Sequence, residues 1–250
     1  MTYLIGDIGN TETKLCIINN KYKIIKRIKI DTSKLANNSY FKKKIYSFIY
    51  KKVKSKKALF SSVVPSIFFI FKKRLNKYFN IRCKELKKTN YSKLIKVAVN
   101  KNQIGSDRIA NAIGAYYKYN SDCIVLDFGT ATTFDVIKKG TYLGGIIAPG
   151  VSLSLSTLIK KDDQIPSFTI KKINKVVGNN TVSALRSGFY WGYAGLINNI
   201  LLLIKKQSVK NYKIILTGGF SSLFKESIKL RSVIDRDITM NWLVEVLKNE

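Results

Sequence analysis

A short apolar run that closes on Asp-x-Gly occurs twice in this chain, 120 residues apart, and this duplication constrains the fold more than any other feature. Tyr3-Leu4-Ile5-Gly6 leads into Asp7-Ile8-Gly9-Asn10-Thr11, and Ile124-Val125-Leu126 leads into Asp127-Phe128-Gly129-Thr130. Each reads as a buried strand, a turn and a returning strand, Lys14 to Ile18 in one case and Phe134 to Ile137 in the other. A carboxylate at a strand end, two residues before a glycine, sits where backbone can approach a ligand closely, and the neighbouring Asn and Thr add donors. A single Asp-x-Gly turn is common and usually only structural. Its recurrence at matching positions carries the argument.

The rest of each half alternates strand and helix patterns. Tyr22 to Ile30 reads as a strand, Tyr40 to Val53 as an amphipathic helix and Ala58 to Val64 as a buried strand; Pro65-Ser66 opens a helix. Gly105-Ser106-Asp107-Arg108 starts another helix, with apolar positions 109, 112, 113, 116 and 117 on one face. In the second half Thr141 to Ala148 reads as a strand and Val182 to Ile204 as a long helix. Lys213 to Leu216 reads as a buried strand ending in Thr217-Gly218-Gly219. The expected fold is therefore α/β, with duplicated domains over residues 1–118 and 119–250 that grip polyphosphate between them. No Walker A loop and no G-x-G-x-x-G is present, so neither a P-loop nor a Rossmann site is expected.

Composition narrows the chemistry. The chain has no histidine, which excludes Ser-His-Asp and Cys-His triads, zincin-type metal sites and a histidine pH switch. Its three cysteines are far apart, which points to reduced thiols in a cytosolic compartment rather than zinc or disulfides. The apolar stretch Leu59 to Phe71 is interrupted by Ser61, Ser62, Pro65 and Ser66 and is too short for a membrane span. The N-terminus carries no export signal, so a soluble, cytoplasmic protein with no membrane partner is expected.

The net charge is +30, and the first 100 residues hold 25 basic against 4 acidic side chains. Lysine runs interleaved with aromatics can form a nucleic-acid groove. Yet only 7 of the 45 basic residues are arginine, the residue that reads bases bidentately. Solvated helix faces with a generic pull on polyanions are the better reading, and no specific nucleic-acid partner is expected.

Seven segments in order resemble the type III pantothenate kinase family of the actin/Hsp70/sugar-kinase superfamily. They are Asp7-Ile8-Gly9-Asn10-Thr11 with Lys14; Ser61-Ser62-Val63-Val64-Pro65; Gly105-Ser106-Asp107-Arg108 with Asn111; Leu126 to Asp135; Gly144 to Gly150; and Asn180-Thr181 through Gly188, followed by Thr217-Gly218-Gly219. The resemblance implies two actin-like (ribonuclease H-like) domains with an ATP cleft between them. It also implies ATP-dependent phosphorylation of pantothenate to 4′-phosphopantothenate, the first step of coenzyme A synthesis. Where the family has Tyr-x-Asn-Pro, this chain has Ala98-Val99-Asn100-Lys101, so the family's substrate-contacting Tyr is absent.

By the same resemblance, Asp107 is the catalytic base, and Gly105, Ser106, Asp107, Arg108 and Thr181 contact pantothenate, Thr181 at a homodimer interface. ATP is bound by Asp7, Ile8, Gly9, Asn10, Thr11, Glu12, Thr13, Lys14 and Thr130, with Asp7 holding the Mg²⁺–phosphate assembly. Asp127 is the ligand of a monovalent cation, K⁺ or NH₄⁺. These roles are chemically reasonable: phosphoryl transfer depends mainly on positioning and charge neutralisation, so an ordinary carboxylate suffices as base. A helix N-terminus is expected to keep Asp107 ionised, and the Arg108 fork suits a substrate carboxylate. Two alternatives are a kinase of another small hydroxylated acid and a catalytically silent nucleic-acid-binding or regulatory homologue.

Overall fold

A computed structural model describes residues 1–162, 164–208 and 211–249. Its contacts divide the chain into two units, Met1–Lys118 with Asp237–Glu250, and Tyr119–Arg236. The sequence reading kept residues 237–250 with the second half, whereas they group with the first.

In the first unit, β1 (Tyr3–Ile8), β2 (Glu12–Ile18), β3 (Ile24–Asp31), β4 (Lys57–Ser62) and β5 (Arg82–Glu85) form a sheet in the order β3-β2-β1-β4-β5. β1 runs antiparallel to β2 and parallel to β4. Apolar alternation sends Leu4, Ile8, Leu15, Ile17, Ala58 and Phe60 into one core. That core is covered by α3 (Pro65–Phe79) and by a helical stretch made of α1 (Asn38–Tyr40), a π segment (Phe41–Ile45) and α2 (Tyr46–Ile49). Gly6 is required in β1: a Cβ there would lie 2.4 Å from the Phe60 ring.

The unit also contains β6 (Lys96–Val97), α4 (Ser106–Tyr119, whose last residue lies past the unit boundary) and the C-terminal α8 (Ile238–Asn249). Helix α8 packs on β1 and β4. It meets α4 at Gly114, where a Cβ would come within 2.5 Å of the Ile238 carbonyl oxygen. The Thr239 hydroxyl donates to buried Asn111 Oδ1 at 2.7 Å, and Arg27 pairs with Asp237 at 2.9 Å. These contacts explain why the C-terminal segment belongs to the first unit.

In the second unit, β7 (Cys123–Phe128), β8 (Ala131–Lys138), β9 (Thr141–Pro149), β10 (Lys213–Gly218) and β11 (Ser232–Ile234) follow the order β11-β10-β7-β8-β9. Its pairings repeat those of the first sheet: β7 is antiparallel to β8 and parallel to β10. Helices α5 (Val151–Lys161) and α6 (Thr181–Ser208) lie with it, and α6 supplies Tyr190, Ile197, Leu201 and Ile204 to the core. A short α7 (Ser221–Phe224) follows β10.

All three cysteines are free and buried. Burial pushes the Cys16 thiol up to about 11 and the Cys83 thiol to about 12, so both are protonated and unreactive at neutral pH. Among the described residues, no helix is long and apolar enough to cross a membrane.

Candidate active site

The first turn is narrow and braced from below. Gly9 N–H donates to the Glu12 carbonyl at 3.1 Å, and a Cβ on Gly9 would sit 2.9 Å from that oxygen. Thr32 hydroxyl donates to the Gly9 carbonyl at 2.7 Å, so Thr13, 2.9 Å from Thr32 Oγ1, donates to Thr32. The Thr32 N–H donates to the Thr11 carbonyl. Of the residues assigned to ATP, Ile8 and Thr13 are thus fully buried, and their side chains hold the turn in shape. Glu12 pairs with Lys29 at 3.3 Å. Asn10 and Thr11 are exposed, while Asp7, Gly9 and Lys14 are half-buried. Across the hairpin Asp7 stands opposite Lys14, and on the other side opposite Ser61, all three side chains sharing one face.

The start of α4 lies beside this turn. Val63 N–H donates to the Ile8 carbonyl at 3.0 Å, and a Cβ on Gly105 would touch Val63 at 3.6 Å. The same Cβ would clash with Asp107 Oδ1 at 2.4 Å, so glycine at 105 leaves room for the Asp107 carboxylate. That carboxylate accepts from the Arg108 N–H at 2.8 Å, and Ser106 hydroxyl donates to Glu85 Oε1. The helix-terminus argument predicts a readily ionised Asp107. Burial raises its pKa above the ordinary aspartate range, opposed by the Arg108 N–H, the Arg108 charge and Lys87. A carboxylate shifted in this direction is a stronger base once deprotonated.

In the second unit Asp127 stands opposite Thr133 on β8 and Thr217 on β10. Gly129 N–H donates to the Ala131 carbonyl at 3.1 Å, closing a turn one residue shorter than the first. Thr130 is exposed on it. Gly150 packs against this turn so closely that a Cβ would overlap the Thr130 carbonyl oxygen at 1.9 Å. After Thr217 the chain turns at Gly218, whose φ of 83° favours glycine. A Cβ at 218 would lie 2.5 Å from the Phe128 carbonyl oxygen and 2.6 Å from Asp127 Oδ1. The strand β10 is therefore seated directly against the Asp127 carboxylate.

Thr181 is exposed at the start of α6, where Asn180 Oδ1 accepts from Ser183 N–H at 2.9 Å and caps the helix. It lines a groove of about 950 Å³ together with Pro149, Leu185, Gly188, Phe189 and Tyr193. Ala98 is exposed in the segment after β6, and Asn100 Oδ1 accepts from Asn102 N–H at 3.0 Å. The sequence reading assigned no site role to three polar groups: the bracing Thr32, and the hydroxyls of Ser61 and Thr217 on the strands beside the two aspartates. A fourth, the fully buried Asp135 carboxylate, accepts from Tyr142 at 2.9 Å. The signal for the strand neighbours was parallel register, which sequence alone does not provide.

Among the described residues no group of three or more His, Cys, Asp or Glu side chains could hold a metal ion. A magnesium ion carried by ATP does not need one, because it takes one or two carboxylates and completes its shell with phosphate oxygens and water. Asp7 with a hydroxyl neighbour is an oxygen donor set of that kind.

Two mixed sheets of one topology, each ending in an Asp-x-Gly turn, define the actin/Hsp70/sugar-kinase fold. Solved structures of that class match across the chain. The activator of 2-hydroxyisocaproyl-CoA dehydratase from Clostridium difficile, with bound ADPNP, has a TM-score of 0.56 at 12% identity, covering 100% of this chain and 98% of that one. The inorganic polyphosphate/ATP-glucomannokinase of Arthrobacter sp. strain KM has a TM-score of 0.52 at 12% identity, covering 100% and 99%. The family model for type III pantothenate kinase matches residues 3–202. A type III pantothenate kinase of Pelagibacter ubique (strain HTCC1062) is 53% identical over 241 residues, 96% of each chain. One from Jannaschia sp. (strain CCS1) is 40% identical over 192 residues, 76% of this chain and 74% of that one. The chain belongs to the type III pantothenate kinase family.

Proposed function

We propose that this protein transfers the γ-phosphoryl group of ATP to the hydroxyl of pantothenate, with Asp107 as the base. The observation that carries the assignment is the pairing of two motifs in the first unit. Val63 links the Asp7 turn to Gly105, which sets the half-buried Asp107 beside the end of the sheet where phosphate-binding groups cluster. Asp107 accepts the substrate hydroxyl proton as the phosphoryl group transfers. Arg108 binds the substrate carboxylate through its fork. Asn10, Thr11 and Lys14 line the phosphates and oppose their charge, and Thr130 contacts the nucleotide. Magnesium, when bound with ATP, neutralises charge on the phosphates, and Asp7 is the carboxylate that holds it.

Asp127, flanked by the threonines 133 and 217, takes the monovalent cation, since an all-oxygen set suits a hard ion. Thr181 contacts substrate at the interface of a homodimer. The groove along α6, with exposed Trp191, Leu202 and Leu203 on the same helix, supports that assembly. Free, unreactive thiols support a cytoplasmic enzyme.

The test is formation of 4′-phosphopantothenate from pantothenate and ATP with Mg²⁺ and K⁺. Asp107→Asn is expected to lower kcat by about 10³-fold, within the usual range for a lost general base, while ATP binding persists. The pH dependence follows from the raised Asp107 pKa. The base works deprotonated, so kcat/KM falls as pH drops through a pKa above the ordinary aspartate range. Stability runs the other way: a raised folded-state pKa favours the fold at acid pH, and that contribution is lost as pH rises through it. Asp107→Asn is therefore expected to melt no lower than wild type at pH 7. A variant that keeps full turnover would refute the assignment.

A further inference from the structure

Ser61 is fully buried in β4, and its hydroxyl has no hydrogen-bond partner among the described residues. Its neighbour Ser62 is locally explained, because its Oγ accepts from Val64 N–H at 3.2 Å where the chain enters α3. A buried hydroxyl without a partner is costly, and alanine would avoid that cost. What distinguishes position 61 is register: it stands opposite Asp7 on the adjacent parallel strand, with both side chains on one face. Neighbouring strands lie about 4.8 Å apart, so rotation about the Ser61 Cα–Cβ bond carries the hydroxyl to the Asp7 carboxylate. The second unit repeats the arrangement, with buried Thr217 opposite Asp127 on the strand parallel to β7. A hydroxyl beside the aspartate is thus part of the duplicated unit.

We propose that Ser61 is a positioning residue, whose hydroxyl donates to one oxygen of the Asp7 carboxylate and turns the other toward the magnesium ion that accompanies ATP. This rests on the reading of Asp7 as the group that holds the metal–phosphate assembly. The bond forms as the cation draws Asp7 into place, so the hydroxyl contributes to binding and not to the stability of the free protein, where it has no partner among the described residues. Thr217 shows that threonine is compatible with the corresponding position of this strand pair.

The experiment compares wild type, Ser61→Ala and Ser61→Thr by thermal melting and by calorimetric titration of ATP with and without Mg²⁺. Ser61→Ala is expected to melt at or above the wild-type temperature and to bind ATP in EDTA as wild type does. Its affinity for ATP in the presence of Mg²⁺ is expected to fall about tenfold, the scale of one hydrogen bond to a charged group. Ser61→Thr is expected to restore most of that loss. In turnover, the KM for Mg·ATP rises in Ser61→Ala and kcat changes less. Equal affinity of Ser61→Ala and wild type for Mg·ATP overturns the proposal, and so does a lower melting temperature with unchanged magnesium dependence, which marks a structural hydroxyl. If wild type binds Mg·ATP but does not phosphorylate pantothenate, the acceptor assignment fails, and the Ser61→Ala titration still decides the role of Ser61. If wild type binds no ATP, both fail.

Discussion

The two Asp-x-Gly turns share a frame and differ in what faces the carboxylate. In each unit the aspartate lies near the end of the central strand of a sheet with the same order and the same strand directions. In each, a buried hydroxyl residue stands opposite it on the parallel neighbour. Across the hairpin the units diverge: Asp7 faces Lys14, and Asp127 faces Thr133. The first set is a carboxylate, an ammonium and a hydroxyl, which can hold a cation and oppose phosphate charge together. The second is a carboxylate with two hydroxyls, which has no positive charge of its own and favours a cation. The first turn also has one more residue than the second, leaving Asn10 and Thr11 exposed as further donors. The two sheets share one scaffold, and across the hairpin a lysine in one stands where the other has a threonine.

The harshest way to break this comparison is to neutralise each aspartate. Asp7→Asn removes the carboxylate proposed to hold the metal–phosphate assembly, and kcat/KM is expected to fall by about 10³-fold. On the role proposed for Asp127, Asp127→Asn acts only through a monovalent ion, so a smaller loss of about 10- to 100-fold is expected. It should also flatten the K⁺ titration, which steady-state rates at varied K⁺ will read. Equal losses with unchanged K⁺ response would mean that the turns have not diverged as their neighbours indicate.

A subtler test makes the second turn resemble the first. Thr133→Lys places an ammonium opposite Asp127, as Lys14 stands opposite Asp7. On the cation role proposed for Asp127, the tethered ammonium is expected to replace the free ion, so activity becomes independent of K⁺ while remaining within about tenfold of wild type. Rates with K⁺ exchanged for a large organic cation provide the measurement. A variant that still requires K⁺ would show that Thr133 does not face the ion.

Much of this frame is legible in the sequence because it is local. The strand-turn-strand pattern, the helix opening at Gly105-Ser106-Asp107 and the glycine pair at 218 and 219 each follow from periodicity and turn chemistry. What was not legible depends on register between distant strands. Ser61 reads as part of an apolar run until β4 is paired with β1, and Thr217 reads as a strand end until β10 is paired with β7. The fate of the C-terminus depends on Arg27–Asp237 and Asn111–Thr239, contacts between residues more than a hundred positions apart. The direction of the Asp107 shift was not legible for a related reason. A helix N-terminus is visible in sequence, but burial by packing is not, and burial is the largest cause of the shift.

The two glycines of the second site offer the mildest test, because they differ in what a methyl group would meet. At Gly129 an added Cβ would make ordinary contact, 3.5 Å from the Ala131 carbonyl oxygen and 3.8 Å from Asp127 Oδ1. At Gly218 the backbone has φ 83°, and the Cβ would press on both the Phe128 carbonyl and the Asp127 carboxylate. Gly218→Ala is therefore expected to cost about 1–3 kcal/mol from backbone strain alone, whereas Gly129→Ala should cost well under about 1 kcal/mol. Denaturant melts of the two variants give the difference directly. Because the strain at 218 bears on Asp127, Gly218→Ala is also expected to weaken the proposed K⁺ activation, an effect that Gly129→Ala should lack. If both variants lose stability equally and keep the same K⁺ response, then β10 does not set the position of the Asp127 carboxylate, and the second turn works independently of its parallel neighbour.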